Sequence, residues 1–279
     1  MANDKIIVAL DYPNEGAALE LVRKCDGRPV KFKIGKELFT NAGPDIVSKI
    51  IDLGGYVFLD LKYNDISNTV KGAAKAAANL GVDLFNMHAS AGFEKMKAAK
   101  EGVTEVASKE PFREPRVIAV TCLTDMDEHD LKLIGVNETP AEYAARLANL
   151  AKHAGMDGVV CSPKELPIMR YILGDDATLV TPGIRPRWSE ANEQKRITTP
   201  ADAIANGATM LVIGRPITGH EDPAKAIDLI ADEILAAMPR YNSNVLNQDD
   251  RTKLDDYLKQ RNMELAAYMK LRGRQQSCS

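Results

Sequence analysis

Cysteine, tryptophan and an excess of charge of one sign are all scarce in this sequence, and each scarcity excludes something. Four cysteines (Cys25, Cys122, Cys161 and Cys278) are scattered along 279 residues, with no CxxC pair and no neighbouring histidine ligands. That spacing argues against a disulfide framework or a zinc site and leads us to expect reduced thiols in a cytoplasmic protein. Cys122 and Cys161 fall in apolar, strand-like runs, where buried free thiols are common. A formal net charge of −3 gives no reason to expect nucleic acid or an anionic membrane surface as a partner. No apolar run approaches the roughly eighteen residues needed to span a bilayer. Met1 to Lys5 leads directly into a strand, so no signal peptide is expected. No GxGxxG follows that first strand, which lowers the case for an open dinucleotide-binding sheet.

Short β-rich runs alternate with helix-like segments. The strands read from the sequence are Lys5–Asp11, Pro29–Gly35, Gly55–Lys62, Val82–His88, Arg116–Cys122, Asp157–Cys161, Thr178–Pro182 and Thr209–Ile213. They recur about every 20 to 40 residues, the length of a βα unit. Thr139-Pro140-x-Glu142 and Ser162-Pro163-x-Glu165 are capping boxes with proline at the first helical position. Thr199-Pro200-x-Asp202 and Asp222-Pro223 are weaker forms of the same signal. Eight units with near-continuous apolar strands predict an α/β fold, a (β/α)8 TIM barrel, over residues 1–240. A polar linker and a helical extension are expected over 241–279. Within the extension, Leu254, Tyr257, Leu258, Leu265, Tyr268 and Met269 recur at helical spacing over Thr252–Arg272. An additional helix packed on the barrel, or a helix that binds a partner, would each explain that stripe.

In such a barrel, function collects at the carboxyl ends of the strands. Those ends carry Asp11, Lys33, Asp60-x-Lys62 with Asp65 just beyond, His88, Thr124, Arg185 and Gly214-Arg215, while the strand middles stay apolar. A period of two places Asp60 and Lys62 on one face of the third strand, above Phe58. Unpaired buried charge is costly, so these groups must pair with each other or with Lys33. Lys31 shares the parity of Lys33 one layer deeper and has no evident role. Gly214-Arg215-Pro216 follows the eighth strand, where barrels commonly bind phosphate. The long segment Gly183–Thr199 carries Arg185, Arg187, Gln194, Lys195 and Arg196, a cationic loop suited to a phosphate dianion and long enough to act as a lid. His88 reads as a hydrogen-bonded structural histidine, and Trp188 as an anchor of that loop.

Asp60-Leu-Lys62-Tyr-Asn-Asp65-Ile-x-Asn68-Thr69 resembles the signature of orotidine 5′-phosphate decarboxylases. The motifs VALD, KIGKELF, AVTCLT, GVVCSPKE, TPGIR and VIGRPI agree with it, in the same order, from about Lys5 to Met238. The resemblance implies decarboxylation of orotidine 5′-monophosphate to uridine 5′-monophosphate, with neither metal nor organic cofactor. It implies a network of Lys33, Asp60, Lys62 and Asp65, with Asp65 contributed across a homodimer interface. By the same resemblance Lys62 protonates C6, and Asp60 lies beside the departing carboxylate. Asp11 and Lys33 hold ribose hydroxyls, Thr124 approaches the pyrimidine, and Arg185, Gln194, Gly214 and Arg215 take the phosphate. Asn68 and Thr69 enter as substrate-binding residues through the signature alone.

Loss of carbon dioxide without a cofactor leaves a carbanion at C6, and a fixed ammonium in a water-poor pocket both stabilises and protonates it. Asp125 stands where relatives often have serine after the threonine of the fifth-strand motif, which puts local loop contacts in doubt. The tail after Asn242 has no counterpart in bacterial barrels of this kind. Three alternatives stay open at this point. One is a magnesium-dependent sugar-phosphate decarboxylase or aldolase of the same barrel group; such relatives typically carry an acidic metal ligand where this chain has Lys33. Another is a silent phosphate-ligand binder, which should have lost a member of the charge network. The last is a structural barrel with an interaction helix, which leaves the ordered strand ends unexplained.

Overall fold

The computed structural model describes residues 2–107, 114–189, 198–238 and 246–276. Two compact units divide the chain, Met1–Ser243 and Asn244–Ser279. In the first, eight strands form a closed barrel in sequence order. They are β1 (Ile6–Ala9), β2 (Lys31–Gly35), β3 (Tyr56–Tyr63), β4 (Leu84–His88), β5 (Arg116–Val120), β6 (Gly158–Val160), β7 (Thr178–Thr181) and β8 (Met210–Ile213). Every pairing is parallel, and β8 returns to β1 through Ile6↔Leu211 and Val8↔Ile213. The (β/α)8 barrel expected from the sequence is the fold, and each expected strand contains the observed one or overlaps it closely.

Ile7, Phe58, Leu84, Ile118, Val180 and Met210 pack together as a core cluster drawn from six strands. All are buried, so the barrel interior is a filled core whose functional surface lies at its mouth.

One device sets strand register three times. The residue before an even strand donates its N–H to the preceding odd strand and accepts an N–H back through its side chain. Asp83 does this with Val57, Asp157 with Val117 and Thr209 with Leu179, at 2.7–3.0 Å. A Cβ at Gly158 would lie 1.9 Å from the Thr178 carbonyl oxygen, so glycine alone permits that approach of β6 to β7.

Thr139, Thr199 and Asp222 cap their helices through side-chain oxygens as expected. The capping box at Ser162 instead opens a 3-10 turn, Pro163–Glu165, before the helix Leu166–Leu173. Pro167 explains the difference: it lacks the N–H that would close the first α-turn onto Pro163.

Among its described residues the second unit has one helix, Gln248–Gln276, longer than the expected Thr252–Arg272. Local contacts such as Lys253–Asp249 and the Arg261 guanidinium over the Tyr257 ring line its surface. No described helix is long and apolar enough to cross a membrane.

Candidate active site

The residues at the mouth form a line of alternating charge. Lys33 Nζ on β2 donates to Asp11 Oδ1 at 2.9 Å and faces Asp60 Oδ2 at 3.6 Å. Lys62 Nζ donates to Asp60 Oδ1 at 2.7 Å. The Lys33 and Asp60 side chains retain only 12% and 13% exposure. Two charges this buried need compensation, and the alternation −, +, −, + provides it. They line a cavity of about 190 Å³ together with Lys62, Cys122, Thr124 and Pro182. Phe58 forms its floor, as strand parity requires.

Strand β3 does not reach this arrangement by regular pleating. Its register with β4 shifts between Leu59 and Tyr63, and Lys62 has φ of +54°. A left-handed backbone at a non-glycine residue costs about 1–3 kcal/mol and persists only where its surroundings impose it. Asn86, on the adjacent β4, is the imposing neighbour. Its Oδ1 accepts the Lys62 main-chain N–H at 2.8 Å, and its Nδ2 donates to Asp60 Oδ1 at 2.7 Å. Asn86 is fully buried. Sequence reasoning passed over it, although its parity with His88 and its place as an amide inside an apolar strand were legible signals.

Other expected residues fall in two groups. Arg185 and Arg215 converge: burial first, and then the positive charge of Arg215, push the Arg185 pKa down. Two guanidiniums that repel one another suit a shared anion. Gly214 leads directly into Arg215 at the mouth end of β8. The Arg185 N–H donates to the Thr198 carbonyl at 3.1 Å, pinning the two ends of the long loop together. Gln194, Lys195 and Arg196 lie outside the described residues, as does the rest of 190–197 in the middle of the expected lid. Trp188 packs edge-on against His220 at 5.6 Å, a contact between the loops after β7 and β8.

Asp65, Asn68 and Thr69 are not drawn into the line of charges within one chain. All three are exposed at the start of the helix Ser67–Asn79, and Asp65 accepts the Ile66 N–H at 2.6 Å. Ile66 beside them is 66% exposed.

His88 is half-buried, and burial, followed by Lys36 and Lys62, pushes its pKa down, so its ring is neutral at pH 7. No hydrogen bond to that ring occurs among the described residues, against the expectation of a hydrogen-bonded histidine. Burial raises the Cys122 thiol to about 11 and raises Cys161 as well, so neither cavity-lining thiol is a ready nucleophile. Glu165, behind them, is lifted by burial to about 7. Lys31 at the opposite end of the barrel contacts the Asp4 carbonyl at 3.4 Å and lies over the Tyr56 ring. Among the described residues, no cluster of three or more His, Cys, Asp or Glu side chains could hold a metal ion.

Residues 4–230 match the model of the orotidine 5′-phosphate decarboxylase / HUMPS family. An orotidine 5′-phosphate decarboxylase of Teredinibacter turnerae is 50% identical over 230 residues, covering 82% of this chain and 97% of that protein. One of Nitrosococcus oceani is 48% identical over 234 residues, covering 84% and 99%. Among solved structures, an orotidine 5′-phosphate decarboxylase of Lactobacillus acidophilus superposes with a TM-score of 0.74 at 38% identity. That likeness covers 83% of this chain and 99% of the other.

Proposed function

Given that the chain belongs to the orotidine 5′-phosphate decarboxylase family, we propose that its alternating charges divide the labour of that reaction. The activity is decarboxylation of orotidine 5′-monophosphate to uridine 5′-monophosphate in de novo pyrimidine biosynthesis. The bond from C6 to the carboxylate carbon breaks, its electron pair stays on C6, and carbon dioxide leaves. Lys62 then gives a proton to C6 and regains one from solvent. The observation that carries this reading is the Lys62 ammonium held 2.7 Å from Asp60 Oδ1 at the rim of a cavity floored by Phe58. A fixed cation there stabilises charge as it develops, which lowers the barrier more than any uniform gain in binding.

In this reading Asp60 faces the departing carboxylate, and Asp11 and Lys33 hold the ribose hydroxyls. Thr124 meets the pyrimidine, while Arg185, Gln194, Gly214 and Arg215 take the phosphate. Asp65, together with Asn68 and Thr69, serves the site of a second copy in a homodimer. The exposure of Asp65 and of its neighbour Ile66 supports that assignment. The Lys33 ammonium occupies the position where a magnesium-dependent barrel would need an acidic ligand, so turnover should be indifferent to a chelator. The extension over 241–279 lies outside the catalytic machinery.

The test is turnover, followed as loss of the ultraviolet absorbance of orotidine 5′-monophosphate. Conversion to uridine 5′-monophosphate in the presence of a chelator supports the reading. No conversion by folded protein overturns it.

A further inference from the structure

We propose that Asn86 is a positioning residue for this reaction: its one amide fixes both the Asp60 carboxylate and the backbone that carries Lys62. The inference rests on the functional reading above.

Asp60 Oδ1 accepts from two donors, Lys62 Nζ and Asn86 Nδ2, each at 2.7 Å. The other end of the same amide takes the Lys62 main-chain N–H at 2.8 Å, where the β3–β4 register is broken. The amide therefore does in one group what a ladder hydrogen bond and a carboxylate partner would otherwise do separately. Without it, the Lys62 N–H is left unpaired in a part-buried site, and the left-handed φ of +54° loses its restraint. Relaxation toward an extended backbone would redirect the Lys62 side chain away from the cavity. Asn86 is fully buried and absent from the cavity lining, so it acts through its neighbours and does not touch substrate. The residues assigned to ribose and phosphate stand on other elements. Loss of Asn86 should accordingly reduce kcat much more than it raises KM.

Two substitutions separate positioning from packing. Asn86→Leu keeps the branched side-chain skeleton and removes both hydrogen bonds; a displacement of about 1 Å at the reacting groups lowers kcat about 100-fold. Asn86→Asp behaves differently with pH. Protonated, its carboxyl donates to Asp60 and accepts from the Lys62 N–H, reproducing both bonds of the amide. Ionised, it sets a second negative charge against Asp60.

The experiment measures kcat and KM of wild type and both variants between pH 5.5 and 8.5, with circular dichroism for folding. We expect the Asn86→Asp deficit relative to wild type to shrink as pH falls, and Asn86→Leu to show a deficit without that recovery. An Asn86→Leu kcat within threefold of wild type overturns the inference. So does an Asn86→Asp deficit that is independent of pH, which also decides the matter if Asn86→Leu fails to fold. Wild type without turnover overturns the functional reading, and an active wild type beside an active Asn86→Leu overturns this inference alone.

Discussion

Lys62 Nζ and Asp60 Oδ1 lie 2.7 Å apart within the stretch of β3, between Leu59 and Tyr63, that breaks register with β4. The short contact and the break belong together. A regular strand would carry the Lys62 N–H in the ladder; here the N–H turns to Asn86, and the ammonium stays over the cavity.

The arginine pair should respond as a phosphate site. Arg215→Ala removes one of two neighbouring guanidiniums; burial first, and then the charge of Arg215, lowers the Arg185 pKa. Loss of a charged hydrogen bond of this type costs about 2–5 kcal/mol, so kcat/KM should fall by roughly 30- to 4,000-fold. The fluorescence of Trp188, the single tryptophan and on the loop that carries Arg185, should respond to ligand. Its change on adding uridine 5′-monophosphate should require a correspondingly higher concentration in the variant.

Asp65 gives a test of the dimer. Lys62→Ala and Asp65→Ala should each be nearly inactive, and mixing them under subunit exchange should restore activity. Half of the dimers would be hybrids, with one intact site of two, giving about a quarter of wild-type turnover. No recovery despite demonstrated exchange would place Asp65 in its own chain's site or outside catalysis.

Glu165 predicts a pH-dependent stability. Burial lifts its carboxyl from 4.5 to about 7, against the opposing pull of the Ser162 N–H and Lys164. A raised carboxyl pKa means the folded state holds the proton more tightly. Its stabilising effect is therefore complete below about 4.5 and is lost as pH rises toward 7. At about 1.4 kcal/mol per unit, the loss is of order 3 kcal/mol. Glutamine can keep the 2.9 Å contact from the Ser162 N–H without any charge. Glu165→Gln should thus raise Tm by roughly 5–10 °C at pH 8 and by much less at pH 5. A pH-independent difference would show that Glu165 does not titrate as described.

Removal of residues 243–279 should leave kcat within twofold of the full chain. The family match ends at residue 230, well before the extension begins. Loss of turnover on removal would make the extension part of the catalytic unit.

The barrel was legible because its strands are apolar runs bounded by glycine, proline and capping residues, signals that act locally. Parity likewise placed Asp60 and Lys62 above Phe58 correctly, even though the strand is irregular beyond Leu59. That irregularity was not legible: a left-handed lysine depends on a partner in the next strand, and nothing in Asp60-Leu-Lys62 encodes it. Asn86 left a legible signal, but the meaning of that signal depends on partners in the neighbouring strand. An amide in Leu84-Phe-Asn86-Met-His88 looks like a flaw in a strand until its two partners are known. The 3-10 turn at Ser162 was readable from Pro167, but the stronger capping signal concealed it. Asp65 stands apart, since the role proposed for it requires a second copy of the chain and no property of one chain supplies it.

In the proposed reaction the Lys62 ammonium performs the proton transfer to C6. The most direct measurement is turnover of orotidine 5′-monophosphate by Lys62→Ala, compared with wild type at equal folded concentration. A fall of about 1,000-fold or more is expected, with the circular dichroism of the barrel preserved. Turnover by the folded variant within tenfold of wild type would contradict it.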